Sequence, residues 1–386
     1  MSCKVVRRCP RDADGTLRIA KTGMGSSAAL ITSLSGALLS LLDAVGDVGD
    51  AGEVGVEARR VVHVVAQACH AMAQGKVGSG FDVCAAVHGC NSYVRFSKDL
   101  LEPVLSCPAV AGTTADAADT VSATTTGLAA VPPARLGACL SAEWDHDHGN
   151  FALPPGLDLL MGDVCGGSET PSMVRKVLAW KSGGGVVAAE QWRLLACAND
   201  EIAAAARVLH AAHAAAPTAY TAGLRACACT AADDWAAASP PPPPCDAAAF
   251  EWAGTGMGSL LFALRAAFAR ARTMLRRMGE AAGVPIEPAE QTALADATVA
   301  LPGVLACGVP GAGGFDAVFA IVLSPEAGSR VEELWSARGE RDSKSTGGVC
   351  PLVLRVDQHA GIRVEDEQSF AETVTKAAAA TSVLNA

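Results

Sequence analysis

The ten residues KTGMGSSAAL at 21–30 constrain this chain more than any other stretch of it. Gly23 and Gly25 bracket a methionine, Ser26 and Ser27 follow, and an apolar helical run, AALITSLSGALLSLL at 28–42, begins at once. Glycine lets the backbone turn sharply and approach a ligand with no Cβ in the way. The serines fall where a helix leaves its first N–H groups without intrahelical acceptors. Those N–H groups and the positive end of the helix dipole together make an anion site suited to phosphate. The loop is not the Walker pattern, because no Gly-Lys-Ser/Thr closes it. A plain glycine turn capped by serine is the other reading of the same residues.

Length allows two domains, since 386 residues exceed the roughly 100–200 of a single one. Half the residues are hydrophobic and 18% charged, so the chain is globular; with aromatics at 4%, its core must come from small aliphatic side chains and closely packed helices. A net charge of −10 argues against nucleic acid as a partner. An anionic substrate then needs a local basic pocket, for which Lys21, Lys76, Arg175 and Lys176 are available. The 14 cysteines lack C-x-x-C spacing and read as reduced, buried small side chains. The opening MSCKVVRRCPRDADG is basic without an apolar core, so it does not read as a signal peptide. The run at 28–42 falls short of the roughly 20 apolar residues a bilayer needs, so a buried helix is expected there. No membrane partner is expected. The cytoplasm is the expected location with the peroxisome as alternative, although the closing SVLNA matches no peroxisomal address.

Along the chain, TLRIA at 16–20 reads as a strand and 52–74 as a helix, with Val61, Val64, Val65, Ala68 and Met72 at helical spacing. A loop and a helix follow in KVGSGFDVCAAVHG, 76–89, and a strand in NSYVRFS, 91–97. Residues 108–140 are Ala/Thr/Gly-rich and read as a surface excursion near a domain boundary. LDLLMGDV reads as a buried strand, with helices expected at 171–181, 188–215 and 250–282. The prolines of DDWAAASPPPPPCD, 233–246, require a polyproline-type loop. LPGVLACGVPGAGGFDAVFAIVL, 301–323, reads as strand, glycine turn, then helix or strand. A polar loop at 337–348 and a last strand at 349–356 complete an α/β or α+β architecture.

Three glycine-rich elements therefore stand far apart, at 21–30, 75–82 and 308–316. In this order and with these flanks, the chain resembles the GHMP kinase superfamily and, within it, the eukaryotic phosphomevalonate kinases. KTGMGSSAA is similar to the family's KTGLGSSAA loop, and AQGKVGSGFDVCAAVHG at 73–89 to the segment carrying its catalytic aspartate. LPPGLDLLMGDVCGGSETPSMVRKVLAWK, 153–181, resembles the substrate-side segment; VPIEPAEQTALADAT, 284–298, and GVPGAGGFDAVFA, 308–320, resemble the C-terminal signatures. The resemblance implies an α+β, two-domain fold: a ribosomal-protein-like α/β domain over 1–150, truncated at its start, and a ferredoxin-like α+β domain over 151–386 with a low-complexity loop near 231–248. It also implies transfer of the ATP γ-phosphoryl group to 5-phosphomevalonate, giving the 5-diphosphate, with ATP and Mg²⁺ as cofactors. Monomer and homodimer both stay open.

The resemblance also implies site residues. Lys21, Gly23, Gly25, Ser26, Ser27 and Ala28 would cradle the ATP phosphates, with the Ser27 hydroxyl on Mg²⁺. Asp82 and Lys76 would be catalytic. A phosphate acceptor has a second pKa near 6 and hardly needs a general base, so Asp82 would orient lysine and metal; an N-terminal helix cap is its alternative role. Ser79, Gly80, Ser168, Thr170, Ser172 and Arg175 would meet the acceptor, with Gly311, Gly313, Gly314 and Asp316 closing over it. His70 falls where related kinases carry a metal-binding glutamate, and reads as a core or capping histidine. Family members carry well over a hundred residues before the phosphate loop, including a lysine near the transferred phosphate, whereas twenty precede Lys21 here. The alternative function is thus a catalytically silent ATP- or anion-binding remnant, and as given the chain is expected to turn over poorly.

Overall fold

The computed structural model describes residues 25–45, 54–106, 131–164, 170–235, 256–341, 349–352 and 361–364. The chain divides into two compact units. Met24–Ala152 and the returning Asp357–Ala386 segment belong to the first, and Leu153–Val356 to the second.

The first unit is mostly helical. Helix α1 (Ser26–Leu41) starts from Gly25, whose φ of 71° is left-handed and whose position has no side-chain cap. Helix α2 (Val56–Gln74) ends at Gly75, where the Lys76 N–H reaches back to the Ala71 carbonyl at 3.1 Å. Helix α3 (Phe81–His88) starts from Gly80, and strand β1 (Asn91–Val94) follows. The short α4 (Glu102–Leu105) and α5 (Pro133–Ser141) lead to β2 (Asp147–Asn150), which pairs antiparallel with β1, Val94 opposite Asp147.

Helix α2 is the spine of the unit. Its Val62 and Ala66 pack with Ala28 of α1 and with Val83 and Val87 of α3. Its Val64, Ala68 and Ala71 pack with Phe96, Leu101, Val104 and Cys139. Helix α1 overturns the buried-helix expectation: only Ala28, Thr32 and Ser35 are buried on it. Leu30, Leu34 and Leu38 are 69%, 56% and 49% exposed. The fully buried positions of α1 are small residues, with Ile31 and Leu39 beside them, so Leu30, Leu34 and Leu38, spaced four apart, point the other way.

The second unit is a four-stranded antiparallel sheet covered on both faces. Strands β3 (Asp158–Val164), β4 (Val304–Gly308), β5 (Ala317–Val322) and β6 (Val349–Leu352) stand in the order β4-β5-β3-β6. Around it run α6 (Thr170–Gly183), α7 (Gly185–Ala215), α8 (Pro217–Ala228), α9 (Ala232–Trp235), α10 (Met257–Ala282), α11 (Ala289–Val299) and α12 (Pro325–Arg341). Alternation along β5 divides the core, as period-2 side-chain geometry requires. Ile321 joins Leu209, Leu224, Leu261 and Leu264 from α7, α8 and α10. Val318, Ala320 and Val322 join Leu294, Val331 and Trp335 from α11 and α12.

Several sequence expectations need correction. Helix α5 lies inside the stretch read as a surface excursion, because Leu136, Cys139 and Leu140 pack against α2 and α4. Helix α9 occupies the start of the stretch read as a polyproline loop, anchored by buried Trp235, whose indole N–H donates to the Cys227 carbonyl at 3.1 Å. Helix α12 extends to Arg341, into the expected polar loop, and α8, α11 and β2 were not expected at all. The contiguous domain 151–386 is also not followed: Ile362 donates its N–H to Val87 of α3 at 3.0 Å and packs into the first unit's core. The strand read at 16–20 lies outside the described residues.

Candidate active site

At the start of α1, the first helical hydrogen bond runs from the Ala29 N–H to the Gly25 carbonyl. The N–H groups of Ser26, Ser27 and Ala28 therefore have no intrahelical acceptor, and no side chain caps them. Ser26 and Ser27 are exposed, whereas the Ala28 side chain is fully buried and offers only its backbone. Asp82 stands directly opposite: a Cβ on Gly25 would lie 3.5 Å from the Asp82 Cβ. Asp82 lies inside the first turn of α3 and does not cap it. Gly80 holds the cap position, and Asp82 Oδ1 accepts the N–H of the next residue, Val83, at 3.0 Å.

His70 completes this cluster. It is 5% exposed, its Nε2 lies 3.3 Å from Ser27 Oγ and 2.8 Å from Gln74 Nε2, and it approaches the Asp82 carboxylate at 3.9 Å. The core-histidine reading captured its burial and missed its partners. A signal was present in the sequence: His63, Gln67, His70 and Gln74 repeat at helical spacing along the otherwise apolar stretch 61–74. They make a polar stripe in which the Gln67 amide lies 3.0 Å from His63 Nε2 and donates to the Gly80 carbonyl at 2.8 Å.

The loop from Lys76 to Gly80 is fixed by residues that sequence reasoning passed over. Arg95 Nη2 donates to the Gly78 carbonyl at 2.6 Å, and the Tyr93 hydroxyl donates to the Ser79 carbonyl at 3.0 Å. Lys76 and Ser79 are exposed. Gly80 is buried at φ 82°, and a Cβ there would meet Phe96, Gln67 and Tyr93 at 2.6–2.8 Å. The left-handed backbone and these neighbours together favour glycine at that position.

Residues of the second unit are placed separately. Ser172 is half-buried and Arg175 exposed, both on α6; Ser168, Lys21 and Gly23, like the side chain of Thr170, lie outside the described residues. In the 308–316 loop Gly314 donates its N–H to the Ile286 carbonyl at 2.7 Å. Gly313, at φ 79°, leaves only 2.1 Å between a notional Cβ and that carbonyl oxygen. Gly311 is exposed at φ 64° with nothing within 4 Å, and the Asp316 carbonyl accepts the Val164 N–H. Beside this loop Glu287, fully buried, takes two hydrogen bonds at 2.8 Å from the Arg272 guanidinium.

Residues 259–341, from α10 to α12, match the family described as GHMP kinases C terminal. The chain is also similar to the peroxisomal phosphomevalonate kinase of Arabidopsis thaliana, 37% identical over 350 residues, 90% of this chain and 62% of the relative. The Aspergillus fumigatus phosphomevalonate kinase erg8 is 33% identical over 91% of the chain and 61% of its own length. The chain thus spans about three-fifths of the curated relatives it matches. Among solved structures, the Lin0012 protein of Listeria innocua shares the fold, with a TM-score of 0.51 at 17% identity over 92% of this chain and 71% of that one.

Proposed function

We propose that this chain carries phosphomevalonate kinase chemistry: transfer of the γ-phosphoryl group of ATP to the phosphate of 5-phosphomevalonate. The observation that supports it most is the open N-terminus of α1 set against the Asp82 carboxylate, in a chain 37% identical to a phosphomevalonate kinase. The unpaired N–H groups of Ser26, Ser27 and Ala28 would hold the nucleotide's phosphates, and glycine at position 25 would let them come close. Ser27 Oγ and the Asp82 carboxylate are hard oxygen donors, so they fit Mg²⁺ when phosphate oxygens and water complete its shell. The ion would supply neutralisation of charge on the phosphates. His70 would hold the Ser27 hydroxyl in place from its buried side.

For the acceptor, the candidates in the first unit are Lys76 and Ser79; in the second unit Ser172 and Arg175 are assigned to it by their motif alone. The acceptor phosphate is already largely ionised at neutral pH. Catalysis would therefore rest on positioning and charge neutralisation, with no strong base required. The closing glycine loop of this reading rests on Gly311, since Gly313 and Gly314 face Ile286.

Replacing Gly25 tests the proposal. Gly25→Val puts a branched side chain at a left-handed position beside Asp82, and should abolish MgATP binding in calorimetry while Tm falls only modestly. Parent-like MgATP binding by that variant would remove the α1 N-terminus from the nucleotide site.

A further inference from the structure

A group of histidines stands apart from the kinase residues. His63 of α2, His88 at the end of α3 and His146 before β2 each present a ring nitrogen, all within 4.8 Å of one another. His63 and His70 lie two turns apart on α2, about 10 Å along the axis, so this group is distinct from the Ser27–His70–Asp82 cluster. His88 Nε2 and His146 Nδ1 are buried with no hydrogen-bond partner among the described residues. Buried polar atoms normally have a partner, so two orphaned nitrogens within one cluster call for an explanation. Aromatic packing accounts for the crowding and leaves both orphans: the His63 ring lies 5.4 Å from His88, 4.7 Å from His146 and 5.6 Å from Trp144.

We propose that His63, His88 and His146 form a binding site for a divalent transition metal of the zinc class, which ties α2, α3 and the start of β2 together. Imidazole nitrogens suit zinc, copper and nickel, whereas Mg²⁺ and Ca²⁺ demand oxygen. Three histidines with one open position make a recurrent zinc set, and bonds of about 2.1 Å place tetrahedral nitrogens about 3.4 Å apart. Ring rotations that close the 4.8 Å spread would bring them there. His148, stacked on His146 with centroids 5.2 Å apart and 4.1 Å from the His88 ring, lines the approach to the fourth position. The Gln67 amide beside His63 fixes that ring's orientation, as partners behind metal-bound histidines do.

The test uses the full chain, stripped with EDTA and titrated with ZnCl₂ by calorimetry. One equivalent should bind and raise Tm, and His88→Ala and His146→Ala should each weaken that binding at least tenfold with helix content unchanged by circular dichroism. Cysteines are the competing ligands, and Cys69 and Cys90 are exposed in the same unit. Cobalt substitution separates the two: a nitrogen site gives ligand-field bands without thiolate-to-metal charge transfer. If His88→Ala fails to fold, the half-buried His146→Gln carries the comparison alone. A parent that takes up no zinc at micromolar concentration, unchanged affinity in the folded variants, or a thiolate band that vanishes with Cys69→Ala or Cys90→Ala would each overturn the site. MgATP binding by the variants should stay at the parent value, which separates this site from the kinase reading.

Discussion

At the scale of single residues, chemically identical positions carry very different loads. Gly311 and Gly313 sit two residues apart in one loop, both at positive φ. Gly311→Ala meets nothing and costs only the left-handed backbone penalty, about 1 kcal/mol. Gly313→Ala adds a collision with the Ile286 carbonyl and should cost at least about 2 kcal/mol, or expel the loop. Urea denaturation of the two variants side by side checks the ranking; equal losses would mean that the Ile286 contact is not held in solution. The same contrast governs Asp82 and His70. Asp82 was a candidate from its flanking motif. His70 was not, because its partner is the Ser27 hydroxyl, 43 residues away in sequence and 3.3 Å away in space.

Elements follow the sequence where periodicity and breakers agree. Helix α2, bounded by Gly55 and Gly75, and strand β3 with its apolar run fall where the pattern puts them. Helix α1 was legible in extent and not in burial, because an apolar run does not say which of its sides meets a partner. Its small residues Ala28, Thr32 and Ser35 are the ones buried, and its leucines form an exposed row. Such rows bind other apolar surfaces. The 386-residue chain should therefore bind a hydrophobic dye strongly, and Leu34→Gln with Leu38→Gln should lower the dye signal while shifting stability by no more than about 0.5 kcal/mol each. A loss of several kcal/mol would show that these leucines are covered in solution. Helices α8 and α11 were illegible for the opposite reason. Helix α11 carries little amphipathic contrast, α8 is short and follows α7 directly, and both are fixed by packing on α7, α10 and β4.

Across the whole molecule, a net charge of −10 has to coexist with two polyanionic substrates in the proposed reaction. Binding must then depend on a few cations held in local geometry, and the candidates differ in how they are held. Arg95 is committed to the carbonyls of Val77 and Gly78, and Arg272 to Glu287 and Asp296. Arg175, exposed on α6, makes no hydrogen bond or ion pair among the described residues. The proposal gives it the acceptor, so Arg175→Met should raise KM for 5-phosphomevalonate about 10–100-fold, the span expected for losing a charge-assisted hydrogen bond of about 1.5–3 kcal/mol. KM for ATP should stay near the parent value, and so should Tm, because an exposed helix position supports little of the core. Steady-state kinetics with each substrate varied in turn separates the outcomes. A rise confined to the ATP term would reassign Arg175 to the nucleotide. No change in either term would leave α6 outside recognition, and acceptor binding would then have to rest on Lys76 and Ser79 of the first unit.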